Sequence, residues 1–244
     1  MREIKSVNNE LIKEIAKLKD KKYRDKEKKF LVEGYHLIEM AKDFLEIIFV
    51  SDKKDYEKIK GVTYYLVSNE VIKKLSQTMN PQGIIGVCTK KEDEKVTSNN
   101  VLILDNVQDP GNVGTLIRSA LAFNYKDIIL SKDSVDIYND KVIRSSQGAL
   151  FKVNIIYRNL VDEIKELKNN GYAVYGTSLK NAKPMQQIVF KDKKAIVLGN
   201  EGAGVSNDVL NITNENIYLE MNKEIDSLNV GVAGSIIMYE LSKN

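Results

Sequence analysis

Three stretches of this 244-residue chain combine residue types and spacings that could do chemistry. In the first, residues 106–118, the run Asp109-Pro110-Gly111-Asn112 is followed six residues after Asn112 by Arg118. Asp, Pro, Gly and Asn are turn chemistry, and Gly114 loosens the start of a helix. A helix beginning here would present unpaired N–H groups, which suit an anionic or carboxylate ligand. A tight strand-to-helix turn with a surface arginine explains the same residues without a ligand.

The second stretch is Gly199-Asn200-Glu201-Gly202-Ala203-Gly204, directly after the apolar run ending at Leu198. Its glycines let backbone approach a ligand or adopt positive φ, and Glu201 puts a carboxylate among them. The spacing is not the G-x-G-x-x-G of a dinucleotide site. The third is Ser227-Leu228-Asn229, leading into Val230, Gly231, Ala233, Gly234 and Ser235. Small residues there allow close packing of backbone on backbone. A capped helix, or a subunit contact, would use the same pattern.

The elements that must position these stretches follow from periodicity. Continuous apolar runs at 101–107, 127–131, 153–157, 172–178, 194–200 and 216–221 read as strands buried on both faces. Helical spacing falls between most of them, at 113–123, 141–150 and 160–169, and then at 230–241. Such alternation predicts a mostly parallel sheet covered on both faces, with ligands held beyond the carboxyl ends of its strands. Before it, helical spacing at 8–18, strands at 30–34, 46–51, 63–68 and 83–90, and helices at 36–44, 54–60 and 69–76 predict a small α/β domain. The charged, aperiodic stretch 91–100 reads as a linker, dividing the chain into domains 1–90 and 101–244.

Composition narrows the function classes. The chain is 43% hydrophobic and 29% charged, an ordinary globular balance. No apolar run approaches the roughly 18 residues of a membrane span, and the N-terminus lacks the apolar core of a secretory signal. One cysteine, Cys88, excludes an internal disulfide and fits a cytoplasmic setting. With one histidine, His36, a metal site is not expected. The net charge of +3 is uneven: residues 13–29 hold nine basic and four acidic side chains. That stripe could meet a phosphate backbone, or be a solvated lysine-rich helix face.

Taken together, the three stretches resemble the SpoU/TrmH family of the SPOUT superfamily, the AdoMet-dependent RNA ribose 2′-O-methyltransferases. Asn112 and Arg118 match its first motif, Gly199–Gly204 its G-x-E-G-x-G loop, and Ser227-Leu228-Asn229-Val230 its last. Ser6, Asn8, Lys13 and the segment 21–41 resemble that family's ribosomal-protein-like substrate-binding domain. The resemblance implies a deep trefoil knot in the C-terminal domain, a homodimer, and active sites that borrow from both subunits. It carries AdoMet contacts onto Gly199, Leu219 and Leu228, with Thr177, Leu198, Asn200, Glu201 and Met221 beside them. It carries the catalytic set onto Asn112, Arg118, Glu201, Ser227 and Asn229. The chain departs from the family at Leu219-Glu220-Met221, where I-P-M is usual, and at Gly231, where serine is common.

An arginine side chain holds its proton to a pKa above about 12, so stabilising a developing ribose alkoxide is physically easier for Arg118 than taking its proton. Asn112, Ser227 and Asn229 would orient Arg118 and the ligand, and Glu201 would anchor the loop or Arg118. Lys19, Lys21, Lys22, Arg24, Lys28 and Lys29 are the candidate RNA contacts, mostly to phosphates. Tyr23 and His36 could stack on a base or be ordinary surface and core residues, the latter favoured for His36. The target leans toward ribosomal RNA, 23S in particular, over tRNA. A non-catalytic RNA-binding protein with a degenerate knot domain, and a dinucleotide-dependent enzyme, are the alternatives.

Overall fold

The computed structural model describes residues 2–55, 59, 61–222, 224–225 and 227–243. Its contacts divide the chain into two units: Met1–Glu92 with Tyr138–Phe151, and Asp93–Ile137 with Lys152–Asn244. The stretch 138–151 packs with the first unit because its aromatic side chains find partners there. The Tyr138 ring lies 4.5 Å from that of Phe30, and Phe151 stacks on Phe30 and Phe44.

The first unit contains β1 (Arg2–Ile4), α1 (Glu10–Ala16), α2 (Lys21–Glu27), β2 (Lys29–Glu33), α3 (Tyr35–Met40), β3 (Leu45–Val50), β4 (Thr63–Val67), α4 (Asn69–Leu75), β5 (Ile84–Thr89) and α6 (Asp140–Ser145). Its sheet is mixed, in the order β1-β4-β3-β5-β2, with the β2–β5 and β3–β5 pairs antiparallel. Asn9, Asp20 and Ser68 cap their helices through side-chain oxygens. Ile12, Phe49, Val71, Leu75 and Val87 form the core between helices and sheet. Most of the helix expected over 54–60 lies outside the described residues; Lys53–Asp55 is a 3-10 turn.

The second unit runs β6 (Asn100–Asp105), α5 (Pro110–Ala122), β7 (Asp127–Ser131), β8 (Asn154–Arg158), α7 (Leu160–Asn169), β9 (Ala173–Thr177), β10 (Lys183–Pro184), β11 (Lys194–Gly199), α8 (Asn207–Leu210), β12 (Glu215–Tyr218) and α9 (Val230–Leu241). Its seven strands are all parallel, in the order β10-β12-β9-β11-β6-β7-β8. Val101, Ile103, Ile129, Ile164, Val174 and Val197 fill one side. On α9, a Cβ at Gly234 would collide with the side chains of Leu198 and Leu116, so the glycine lets α9 press onto β11 and α5.

The expected linker is partly structural. Asp127, buried at the start of β7, accepts from the N–H groups of Thr97 and Ser98 at 3.0 and 2.7 Å and from Asn154 Nδ2 at 2.7 Å. Burial alone would raise its pKa, but these donors outweigh that and hold it below the usual carboxylate value. Among the described residues no helix is long and apolar enough to cross a membrane, and no cluster of His, Cys, Asp or Glu could hold a metal.

Candidate active site

The parallel sheet changes direction at β6. The chain runs outward through β7 and β8, then returns so that β11 pairs with β6 on its other side. Ligands of such sheets bind beyond the carboxyl ends of strands at this kind of switch. The ends in question are Asp105 and Gly199, which are paired in register. Asp105 is buried and ties the two exits together: its Oδ2 accepts from the Ser206 N–H at 2.8 Å.

Glu201 is the hub of the exposed layer above. Its Oε1 accepts from Asn112 Nδ2 at 3.1 Å and from the Asp109 N–H at 3.0 Å. Its Oε2 accepts from the Gln108 N–H at 3.2 Å. Asn229 Nδ2 in turn donates to Asn112 Oδ1 at 2.9 Å. The pKa of Glu201 is lowered: partial desolvation would raise it, but the donors from Asn112, Asp109 and Gln108 prevail. One carboxylate thus joins the loop after β11 to the start of α5, and through Asn112 to the start of α9.

Local sequence explains each placement. Asp109 caps α5, accepting from the Asn112 N–H at 2.9 Å, with Pro110 in the first turn. Asn229 caps α9, accepting from Gly231 and Val232 N–H, which leaves its amide nitrogen for Asn112. Asn200 holds the glycine loop shut: its Oδ1 accepts from Gly202 and Ala203 N–H, and its Nδ2 donates to the Asn106 carbonyl at 2.9 Å. A Cβ at Gly199 would collide with the backbone of Gly204 and Val205, so only glycine fits.

Arg118 and Ser227 are exposed and do not join this network. Six helical residues turn Arg118 about 120° away from Asn112 around α5. The residues on the side of Asn112 face α9 instead: Ser119 Oγ lies 2.7 Å from Ser235 Oγ.

Leu219, Met221 and Leu228 line a separate cleft of about 390 Å³ together with Met185, Ile188 and Phe190, with Glu220, Gln186 and Glu240 as polar lining. The size and the mostly apolar wall suit an adenosine-sized ligand, and the carboxylates suit a cation. These residues therefore fit AdoMet. Thr177 lies at the end of β9, where its hydroxyl donates to the Val197 carbonyl at 2.9 Å. Leu198 is buried under α9.

The basic stripe is partly as expected. Lys21, Lys22 and Lys28 are exposed, and Lys29 is paired with Glu46 at 2.5 Å. Arg24 corrects the expectation. It is buried, and its Nη1 donates to the carbonyls of Leu18 and Lys19 at 3.1 and 2.7 Å, closing the turn between α1 and α2. His36 is exposed, 3.2 Å from the Gln147 carbonyl. Gln108, not among the candidate residues read from the sequence, also belongs to the site: its side chain donates to Asn106 Oδ1 at 2.5 Å and to the Asp133 carbonyl. Its place in the turn before α5 was the available signal.

A parallel α/β unit with a carboxylate-centred loop network at its switch point and a separate, mostly apolar cleft is the architecture of a nucleotide-ligand-binding α/β protein. Comparison with known proteins makes it particular. A model of the SpoU rRNA methylase family matches residues 99–239, and one of an MRM3-like substrate-binding domain matches residues 9–86. The chain belongs to the SpoU rRNA methylase family. It is 39% identical, over 99% of both chains, to the 23S rRNA (guanosine(2553)-2′-O)-methyltransferase RlmP of Bacillus subtilis. The structure of an AdoMet-bound rRNA methyltransferase from Sinorhizobium meliloti superposes with a TM-score of 0.88 at 25% identity, covering 99% of this chain and 97% of that one. A TrmH-family RNA methyltransferase from Porphyromonas gingivalis gives a TM-score of 0.87 at 27% identity over 96% and 98%.

Proposed function

We propose that this protein transfers the methyl of AdoMet to a ribose 2′-hydroxyl of 23S ribosomal RNA, at the guanosine equivalent to the one its Bacillus subtilis relative is named for. The observation that carries this reading is the Glu201–Asn112–Asn229 network, built from all three motifs. Residues 101–244 carry the chemistry and residues 1–90 hold the RNA, with Lys21, Lys22, Lys28 and Lys29 on phosphates.

AdoMet, when bound, supplies an electrophilic methyl on its sulfonium. Leu219, Met221 and Leu228 hold its adenosine, with Gly199, Leu198, Asn200, Glu201 and Thr177 shaping the loops around it. Arg118 binds the 2′-oxygen and stabilises negative charge as the proton leaves to phosphate or water. Ser227 orients the incoming ribose. Asn112 and Asn229, locked by Glu201, fix the two helix starts that frame the hydroxyl.

Arg118 serves the site of a second copy in a homodimer. Two features support this: Arg118 points away from Asn112, and Val232, Ile236 and Tyr239 leave an exposed apolar stripe along α9. The knotted path expected of the family belongs to the same proposal.

The test is methyl incorporation from labelled AdoMet into unmodified 23S rRNA and, separately, into tRNA. Label in 23S rRNA alone is expected, falling at least about 10²-fold for Arg118→Ala while AdoMet binding persists. Label in tRNA alone would refute the target, and near-normal turnover by Arg118→Ala would refute its role.

A further inference from the structure

The loop 76–83, between α4 and β5, is more firmly built than a connector needs. Ser76 is buried, and its hydroxyl donates to Glu33 Oε2 at 2.8 Å. Thr78 Oγ1 donates to Glu33 Oε1 at 2.7 Å, and the Thr78 N–H donates to Ser76 Oγ at 2.9 Å. Lys19 Nζ donates to the Ser76 carbonyl at 2.7 Å. On the far side, Gln82 lies so close to Gly34 that a Cβ there would sit 2.8 Å from Gln82 Oε1. Both carboxylate oxygens of Glu33 are thus spent on holding this loop.

Among the exposed Gln77, Asn80 and Gln82, the loop holds out one large apolar side chain. Met79 is 98% exposed, and Tyr35, next to Gly34, is 46% exposed. A lone exposed apolar side chain is ordinary on a mobile tip. Here the loop is anchored by hydrogen bonds at both ends, the far one through the Gly83 carbonyl, which accepts from the Ser51 N–H at 2.9 Å, so the tip that carries Met79 is held at a set place. The anchor includes Lys19, which belongs to the stripe carrying exposed Lys21 and Lys22. An apolar tip beside cations suits a polyanion with flat apolar faces.

We propose that Met79, with Tyr35, is the base-contacting element of the rRNA-binding surface: it packs against an unstacked base while the exposed Lys21 and Lys22 meet the flanking phosphates. Methionine suits that contact, because its sulfur is polarisable and packs well on aromatic rings. This inference rests on the ribosomal RNA substrate proposed above.

The two contact types separate by salt. Phosphate contacts release counterions and set the slope of log K against log salt; a base contact does not. Binding of an unmodified 23S rRNA fragment is measured by anisotropy across a salt series. Met79→Ala is expected to weaken binding roughly fivefold to tenfold with an unchanged slope. Lys21→Ala is expected to reduce the slope by about one. AdoMet binding and melting temperature should be unaltered by Met79→Ala. Photo-methionine at position 79 in the full chain should cross-link to the RNA, a readout that does not depend on the variant folding. Binding by Met79→Ala within about twofold of wild type, or no cross-link from position 79, overturns the inference and leaves the substrate standing. Failure of the wild-type protein to bind rRNA at all overturns both.

Discussion

Replacing Glu201 should uncouple the three motifs. In the folded chain its carboxylate receives hydrogen bonds at 3.1, 3.0 and 3.2 Å from Asn112, Asp109 and Gln108. Each would be worth roughly 1.5–3 kcal/mol in a buried site, but Glu201 is exposed and solvent screens them, so about 0.7 kcal/mol each is a fair value. Glu201→Ala then loses about 2 kcal/mol of positioning. If Asn112 and Asn229 must be held for transfer, that is roughly a 30-fold fall in rate. Glu201→Gln keeps one carbonyl oxygen and turns an amide nitrogen toward N–H donors, so a smaller fall of about tenfold follows. Both variants should bind AdoMet within a few-fold of wild type, since the apolar cleft is intact. The assay is single-turnover methyl transfer at saturating AdoMet, with calorimetry for AdoMet alone. An alanine variant with an unchanged transfer rate, or a rate loss recovered by raising AdoMet, would refute the positioning role.

Three further outcomes follow from the same geometry. Gly199→Ala drives a Cβ into the backbone of Gly204 and Val205, so it should abolish measurable AdoMet binding and cost about 3 kcal/mol or more in chemical denaturation. Asp127 has a lowered folded pKa, so its contribution is present above the unfolded value of about 3.9 and is lost as pH falls through the folded value. Asp127→Asn should therefore cost about 2 kcal/mol at neutral pH, and its deficit against wild type should shrink on acidification. Tyr125 is fully buried and its hydroxyl has no hydrogen-bond partner among the described residues; Tyr125→Phe should raise unfolding free energy by about 1 kcal/mol in urea titration.

Where periodicity was long and strong, the elements were legible. Residues 160–169 and 230–241 were bounded as the structure has them, because a helix of three turns repeats its apolar pattern enough to show its ends. Strands β1 and β10 went unseen, since three and two residues at a sheet edge carry no pattern. The helix expected from 113 starts at Pro110: a small-residue first turn hides periodicity, and only the Asp-Pro cap marks it. The meeting of Asn112, Glu201 and Asn229 was legible as motif order, but not as a chain of hydrogen bonds. Such contacts, at separations of 89 and 117 residues, depend on which strands pair. Arg24 misled for a different reason. A lysine-rich run looks uniformly solvated, and nothing in residue type distinguishes the one guanidinium that turns inward to bond two carbonyls. The stretch 138–151 was placed by its position between strands, whereas its aromatic contacts decide where it packs.

The central claim is that the three motifs make one site for ribose methylation. The direct measurement is nucleoside analysis by mass spectrometry of 23S rRNA after reaction with methyl-labelled AdoMet. The account predicts label in 2′-O-methylguanosine from a single position. Label on a base, or none in a reaction where the protein binds both AdoMet and RNA, would contradict it.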